Sequence, residues 1–200
     1  MSRIVKEPEE RKEELLQIGI RLFLQDGIKN MSIQNVVNEA NVATGLFYYY
    51  FKTKDDFIDQ VLERHVYDYV IGFEEIVNDK NTSILNRLDL ILKQFHIRFS
   101  EIGKLNYDEL LDYPQHFALV EDLIIKRAHG TLVDFIKEGK ENGYFHVLEP
   151  DITGLFMIYG LVGVIPRASF FNDDSTNEEI RRLVFATLSV NDKNRNEGCS

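Results

Sequence analysis

Groups that carry reaction chemistry are scarce in this chain of 200 residues, and thiols are scarcest. The single cysteine, Cys199, cannot close an intramolecular disulfide, which fits a reducing compartment. The five histidines, His65, His96, His116, His129 and His146, stand apart, with neither the His-Glu-x-x-His nor the Glu-x-x-His spacing of a helical metal site. Glycine loops that cradle phosphates are missing, and no serine sits on a nucleophile elbow. No cofactor, metal or catalytic residue is expected, so the chain does not read as an enzyme. There is no basic-then-apolar leader and no run of about 18 apolar residues to span a bilayer, so the expectation is a cytoplasmic protein with no membrane partner. Linkers, internal repeats and convincing strand signals are absent as well, which leaves an all-α fold.

Positive charge is in deficit too. A net charge of −10 argues at first against a nucleic-acid partner, because phosphate binding draws on Lys and Arg. Its distribution matters more than its sum. Residues 1–54 hold 8 basic and 7 acidic side chains, whereas residues 55–200 hold 15 and 26. A near-neutral head on an acidic body can still bind a duplex locally, with weak long-range steering and low non-specific affinity.

What is present is centred on residues 32–54, SIQNVVNEANVATGLFYYYFKTK. Ser32 is a good N-cap, and Ile33, Val36, Val37 and Ala40 follow at the spacing of one helical face. Asn41 tolerates the positive φ of a sharp turn, and Val42 can plug the corner. From Ala43 the helical pattern resumes, with Phe47 and Phe51 as buried anchors four residues apart. Three adjacent tyrosines, Tyr48, Tyr49 and Tyr50, cannot all point one way on a helix, so at least one is expected in solvent or against a partner.

The flanking stretches support this unit. Pro8 and the glutamates after it suit a helix start, Leu15, Ile18, Leu22 and Phe23 form its stripe, and Gly27 is the expected terminator. Thr53 can cap a long helix running to about Val77, with Asp55 and Asp56 in its first turn. A loop over 78–83 precedes a helix from Ile84 to about Ile102, ended by Gly103, and a short segment over 107–113 stops before Pro114. Another long helix is expected from about Phe117 to the turn at 141–143. The segment after Glu149-Pro150-Asp151 is apolar nearly all round, so it must be buried on more than one side; Gly154, Gly160 and Gly163 would permit close helix approach. After a polar loop, NDDSTN, a last helix spans residues 178–190, and the tail from Asn191 is expected to be disordered.

These residues resemble the tetracycline-repressor (TetR) family of transcriptional regulators. The likeness rests on Gly45-Leu46-Phe47-Tyr48-Tyr49-Tyr50-Phe51 followed by Lys52-Thr53-Lys54, and on LLQIGIRLFLQDGIKNMSI upstream. FIKEGKENGYF followed by EPDITGLF is similar to a junction between the family's last long helices. Two positions depart from the pattern: Asn41 stands where the turn usually has Gly, and Tyr50 where the family usually has His. Both bear on which operator is read.

The resemblance implies a three-helix head with a helix-turn-helix over residues 1–54 and a larger helical regulatory and dimerisation body over residues 55–200, joined by a helix that transmits the state of the body. The implied partners are a double-stranded DNA operator of roughly palindromic form, a second copy of the chain, and a small-molecule effector. Ser32, Tyr48, Thr53 and Lys54, with Gln34, are the expected phosphate contacts, and Thr44, Gly45, Leu46 and Tyr49 the expected approach to base edges. Phe73, Phe95, Phe99, Tyr113, Phe117 and Tyr159, with His96 and Arg98, are candidates for lining a cavity; packed core is the competing role of each. The interface between subunits is expected on the last two helices, at Leu155, Tyr159, Val162, Ile180, Leu183, Val184 and Leu188. The alternative to effector control is a DNA-binding dimer switched by a protein partner or by nothing.

Overall fold

A computed structural model describes residues 7–104, 112–164 and 174–190, without side-chain detail for a few of them. Among the described residues the chain forms eight helices and no strand. They are α1 (Pro8–Asn30), α2 (Ile33–Glu39), α3 (Thr44–Tyr50), α4 (Lys54–Asn78), α5 (Ile84–Lys104), α6 (Pro114–Glu141), α7 (Pro150–Val164) and α8 (Asp174–Thr187). The fold is all-α, a helix-turn-helix head carried on a helical body.

The head closes around the residues its periodicity nominates. Leu15, Leu22, Phe23, Val37, Phe47 and Phe51 are buried, and Ile18, Ile33 and Val42 pack half-buried against them. Gly27 does not end α1. Its φ of 76° breaks the helical geometry, which a residue without Cβ does at little cost, yet one further turn follows to Asn30. Ile28 and Met31 draw that turn inward, both being almost wholly buried.

Helix α4 joins head to body. Its N-terminal part is held to α1 by Arg64, whose Nε donates to Glu13 Oε1 at 3.0 Å, and its length packs against α6. Helix α6 begins at Pro114, earlier than the apolar pattern suggests, because proline suits the first helical position, where its missing N–H is no loss. It lies against α7 at close range: a Cβ on Gly154 would sit 2.8 Å from Val133 Cγ2. The last helix also starts early, at Asp174, inside the stretch expected to be a polar loop. Residues 107–111 of the expected short segment, and the tail from Asn191, lie outside the described residues.

Candidate nucleic-acid interface and body cavity

The turn between α2 and α3 is made by backbone geometry. Asn41 adopts φ 52°, and the Val42 amide donates to the Val37 carbonyl at 3.0 Å, which folds the chain back on itself. Helix α3 is only seven residues long and could not stand alone. An aromatic cluster holds it. Phe47 and Phe51 are both 0% exposed, and their rings form a triangle with Phe57 of α4, centroids 4.8 to 5.1 Å apart.

The same packing turns the opposite face outward. Tyr48 is 54% and Tyr49 74% exposed, while Tyr50 is half-buried and meets Tyr49 edge-on at 5.0 Å. Thr44 and Gly45 are exposed and Leu46 half-buried. Among the described residues, nothing beyond its chain neighbours and its own helix backbone lies within 4 Å of where a Gly45 Cβ would stand, so packing does not require glycine there. The bare backbone on that face is open to whatever approaches from outside.

Two hydroxyls flank this surface in defined positions. Ser32 Oγ accepts from the Asn35 amide at 3.1 Å, and Thr53 Oγ1 from the Asp56 amide at 3.0 Å. A hydroxyl that accepts in this way still has its own proton to donate, so each cap can also serve a phosphate oxygen. Gln34 is exposed and donates to Asn38 Oδ1 at 2.7 Å; Lys54 is half-buried. Lys52, exposed beside Thr53, is absent from the expected contacts although it lies within the same motif. Its amide donates to Asp56 Oδ2 at 2.7 Å, and that bond, then one from Gln60, holds the Asp56 carboxyl below its ordinary range.

Inside the body, five helices surround a narrow cavity of about 70 Å³. Tyr69 and Phe73 of α4, Leu88 and Phe95 of α5, Ala128, Leu132 and Phe135 of α6, Met157 and Val162 of α7, and Val184 of α8 with Leu188 just beyond its end are in its wall. Two of the cavity candidates, Phe73 and Phe95, thus stand in it. Tyr113 and Phe117 instead pack against the core, away from the wall, and Tyr159 points outward, 60% exposed. The side chains of His96, Arg98 and Phe99 lie outside the described residues. Aromatic rings alone do not mark this wall: the aliphatic positions 124, 128 and 132 of α6 belong to it, and their four-residue spacing is the signal that could have found them.

The expected subunit-interface set divides in the same way. Val162, Val184 and Leu188 are buried and line the cavity, and Ile180 is buried in the subunit's own core. Leu155 is half-buried and Tyr159 and Leu183 are exposed, as are Ile152 and Phe156, which are not among the expected interface residues. Of the glycines on α7, Gly154 meets α6, while a Cβ at Gly160 or Gly163 would meet no other element within 4 Å among the described residues.

Comparison with known proteins agrees with this geometry. The family model described as bacterial regulatory proteins, tetR family, matches residues 15–61. The transcriptional repressor KstR2 of Mycolicibacterium smegmatis is 30% identical over 152 residues, covering 73% of this chain and 71% of its own. A TetR transcription regulator from Haloarcula marismortui superposes with a TM-score of 0.70 at 19% identity, over 90% of this chain and 97% of that one. E. coli NemR in its reduced form gives 0.68 at 23%, over 90% and 98%. With its turn, its aromatic bracing and an extended likeness to a named repressor, the chain belongs to the TetR family of DNA-binding transcriptional regulators.

Proposed function

We propose that this regulator is a repressor that binds a palindromic operator as a homodimer through residues 1–54 and is released when a small molecule occupies the body, residues 55–200. One observation carries the reading: Tyr48 and Tyr49 stand exposed on a helix whose other side is anchored by two fully buried phenylalanines. Large aromatic side chains held rigidly in solvent fit a partner surface. The Ser32 and Thr53 hydroxyls, Tyr48, Lys54 and Lys52 bind phosphate and set register; Thr44, Gly45, Leu46 and Tyr49 approach base edges, with Gln34 at the margin. Few ionic groups read bases, so DNA shape contributes to discrimination.

Two copies place two such helices in successive major-groove turns, about 34 Å apart. Support for the pairing comes from α7, where Ile152, Phe156 and Tyr159 recur at helical spacing on an exposed face, and from Leu183, exposed on α8. The effector acts only through differential affinity: it must favour the arrangement whose head spacing misfits DNA. Selection from a random DNA library with the purified protein, repeated with Tyr49→Ala, tests the reading. A palindromic consensus that the variant enriches weakly is expected; enrichment no better than non-specific binding overturns it.

A further inference from the structure

The wall of the body cavity is unusual in what it lacks. A small-molecule site ordinarily sets a few converging polar groups into an apolar lining. Here, among the described residues, Tyr69 is the only lining side chain with a hydrogen-bonding group; the others are hydrocarbon, with one thioether.

A buried charge next to this lining has its terminal nitrogens engaged elsewhere. Arg87 is almost wholly buried: Nη1 donates to the Val77 carbonyl at 2.5 Å and Nη2 to Glu138 Oε1 at 2.5 Å, which leaves only Nε without a partner among the described residues. Its guanidinium carbon lies 5.4 Å from the ring centroid of Phe135, a ring that lines the cavity, and Arg87 itself is not in the wall. The unpartnered Nε2 of His129 likewise lies outside the wall, near Gly154 in the seam between α6 and α7. A charged group drawn into this space would lose its hydration and meet no counter-charge among the described lining residues.

The shape is informative as well. Lining positions on α6 run from Ile124 to Ile136, a length of about 18 Å along the helix axis. Spread along that stretch of helix, a cavity of about 70 Å³ is a slender one, and walled almost entirely by carbon it suits a thin apolar chain.

From this, and resting on the effector-controlled reading above, we infer that the effector is an uncharged, elongated lipophile with at most one neutral oxygen function. The cavity selects it by excluding charge, and apolar burial along α6 supplies the affinity.

Decanol and decanoate, titrated into the full-length protein at neutral pH below their aggregation limits, share a carbon skeleton and differ in charge. Binding is read by calorimetry, and operator affinity by fluorescence anisotropy on the library-selected site. Two variants, Ala128→Phe and Ile124→Trp, fill the cavity from α6; each is used only if it still binds operator. Decanol should bind, decanoate should bind about tenfold more weakly or worse, and the filled variants should lose about tenfold in decanol affinity. Equal or tighter binding of decanoate overturns the inference, as does binding of neither probe, or decanol binding undiminished in both variants. Decanol that binds as expected and leaves operator affinity unchanged upholds the ligand class and sinks effector control. Decanoate that binds preferentially and releases the operator does the reverse.

Discussion

His116 of α6 and Asp59 of α4 meet at 2.8 Å, imidazole Nδ1 to carboxylate Oδ1, with the imidazole sealed and the carboxylate half open to water. The pair ties the helix that runs along the cavity to the part of α4 nearest the head. His116→Ala should cost about 1–3 kcal/mol in urea unfolding, because a buried hydrogen-bonded group is removed. The same variant should also respond to effector with a smaller change in operator affinity than the parent. An unchanged effector response would remove the pair from the transmission path.

Substitutions on α3 separate bracing from recognition. Phe47→Ala should destabilise by about 3–5 kcal/mol, the cost of emptying a full aromatic site. Tyr49→Ala should leave stability within about 0.5 kcal/mol while weakening operator binding at least tenfold, or about 1.4 kcal/mol. Thermal unfolding and anisotropy on the same samples give both numbers.

Lys54→Ala should weaken binding to every DNA sequence alike. The slope of log affinity against log salt should flatten by about one unit, as it does when a protein neutralises one phosphate fewer. Lys52→Ala, at the neighbouring exposed cation, should do the same.

Acid should loosen the body at Glu138. Hydrogen bonding from Arg87, aided by Lys80 against the opposing effect of burial, holds its carboxyl at about 2, below the ordinary 4.5. Because the folded value is depressed, the stabilisation is complete above pH 4.5 and is lost as pH falls through about 2. Glu138→Gln should remove that dependence, and at neutral pH should cost about 3 kcal/mol or more by leaving the buried Arg87 uncompensated. Urea titrations across that acid range read both effects.

Asn41 at φ 52° makes a sharper local test. Asn41→Gly should be neutral within about 0.5 kcal/mol, since glycine adopts this conformation freely, whereas Asn41→Val should cost about 1–2 kcal/mol and misplace α3. Thermal unfolding reads the first effect and operator anisotropy the second.

Local signals made the head legible. Caps at Ser32 and Thr53, the turn at Asn41 and the Phe47–Phe51 pair each rest on interactions within a few residues, which a linear pattern records. The body was less legible because inward and outward faces of an all-apolar helix look alike in sequence. On α7, Val162 and Tyr159 are three positions apart, yet one lines the cavity and the other faces out. Only the direction of approach of α6, seen at Gly154 against Val133, separates them. The early start of α8 at Asp174 was hidden by a polar run that also reads as a loop.

Helix α4 is 25 residues long, with lining residues Tyr69 and Phe73 towards one end and the start of the head at the other. From Phe73 to Lys54 it measures about 28 Å, which on the proposed effector-controlled reading makes it a lever arm. A pivot of about 5° at the cavity swings the far tip by about 2.5 Å, a large error for a side chain that must meet a base edge. In the proposed homodimer that swing would double in the span between the reading helices, so a modest repacking around one hydrocarbon guest would be mechanically sufficient to break register with DNA.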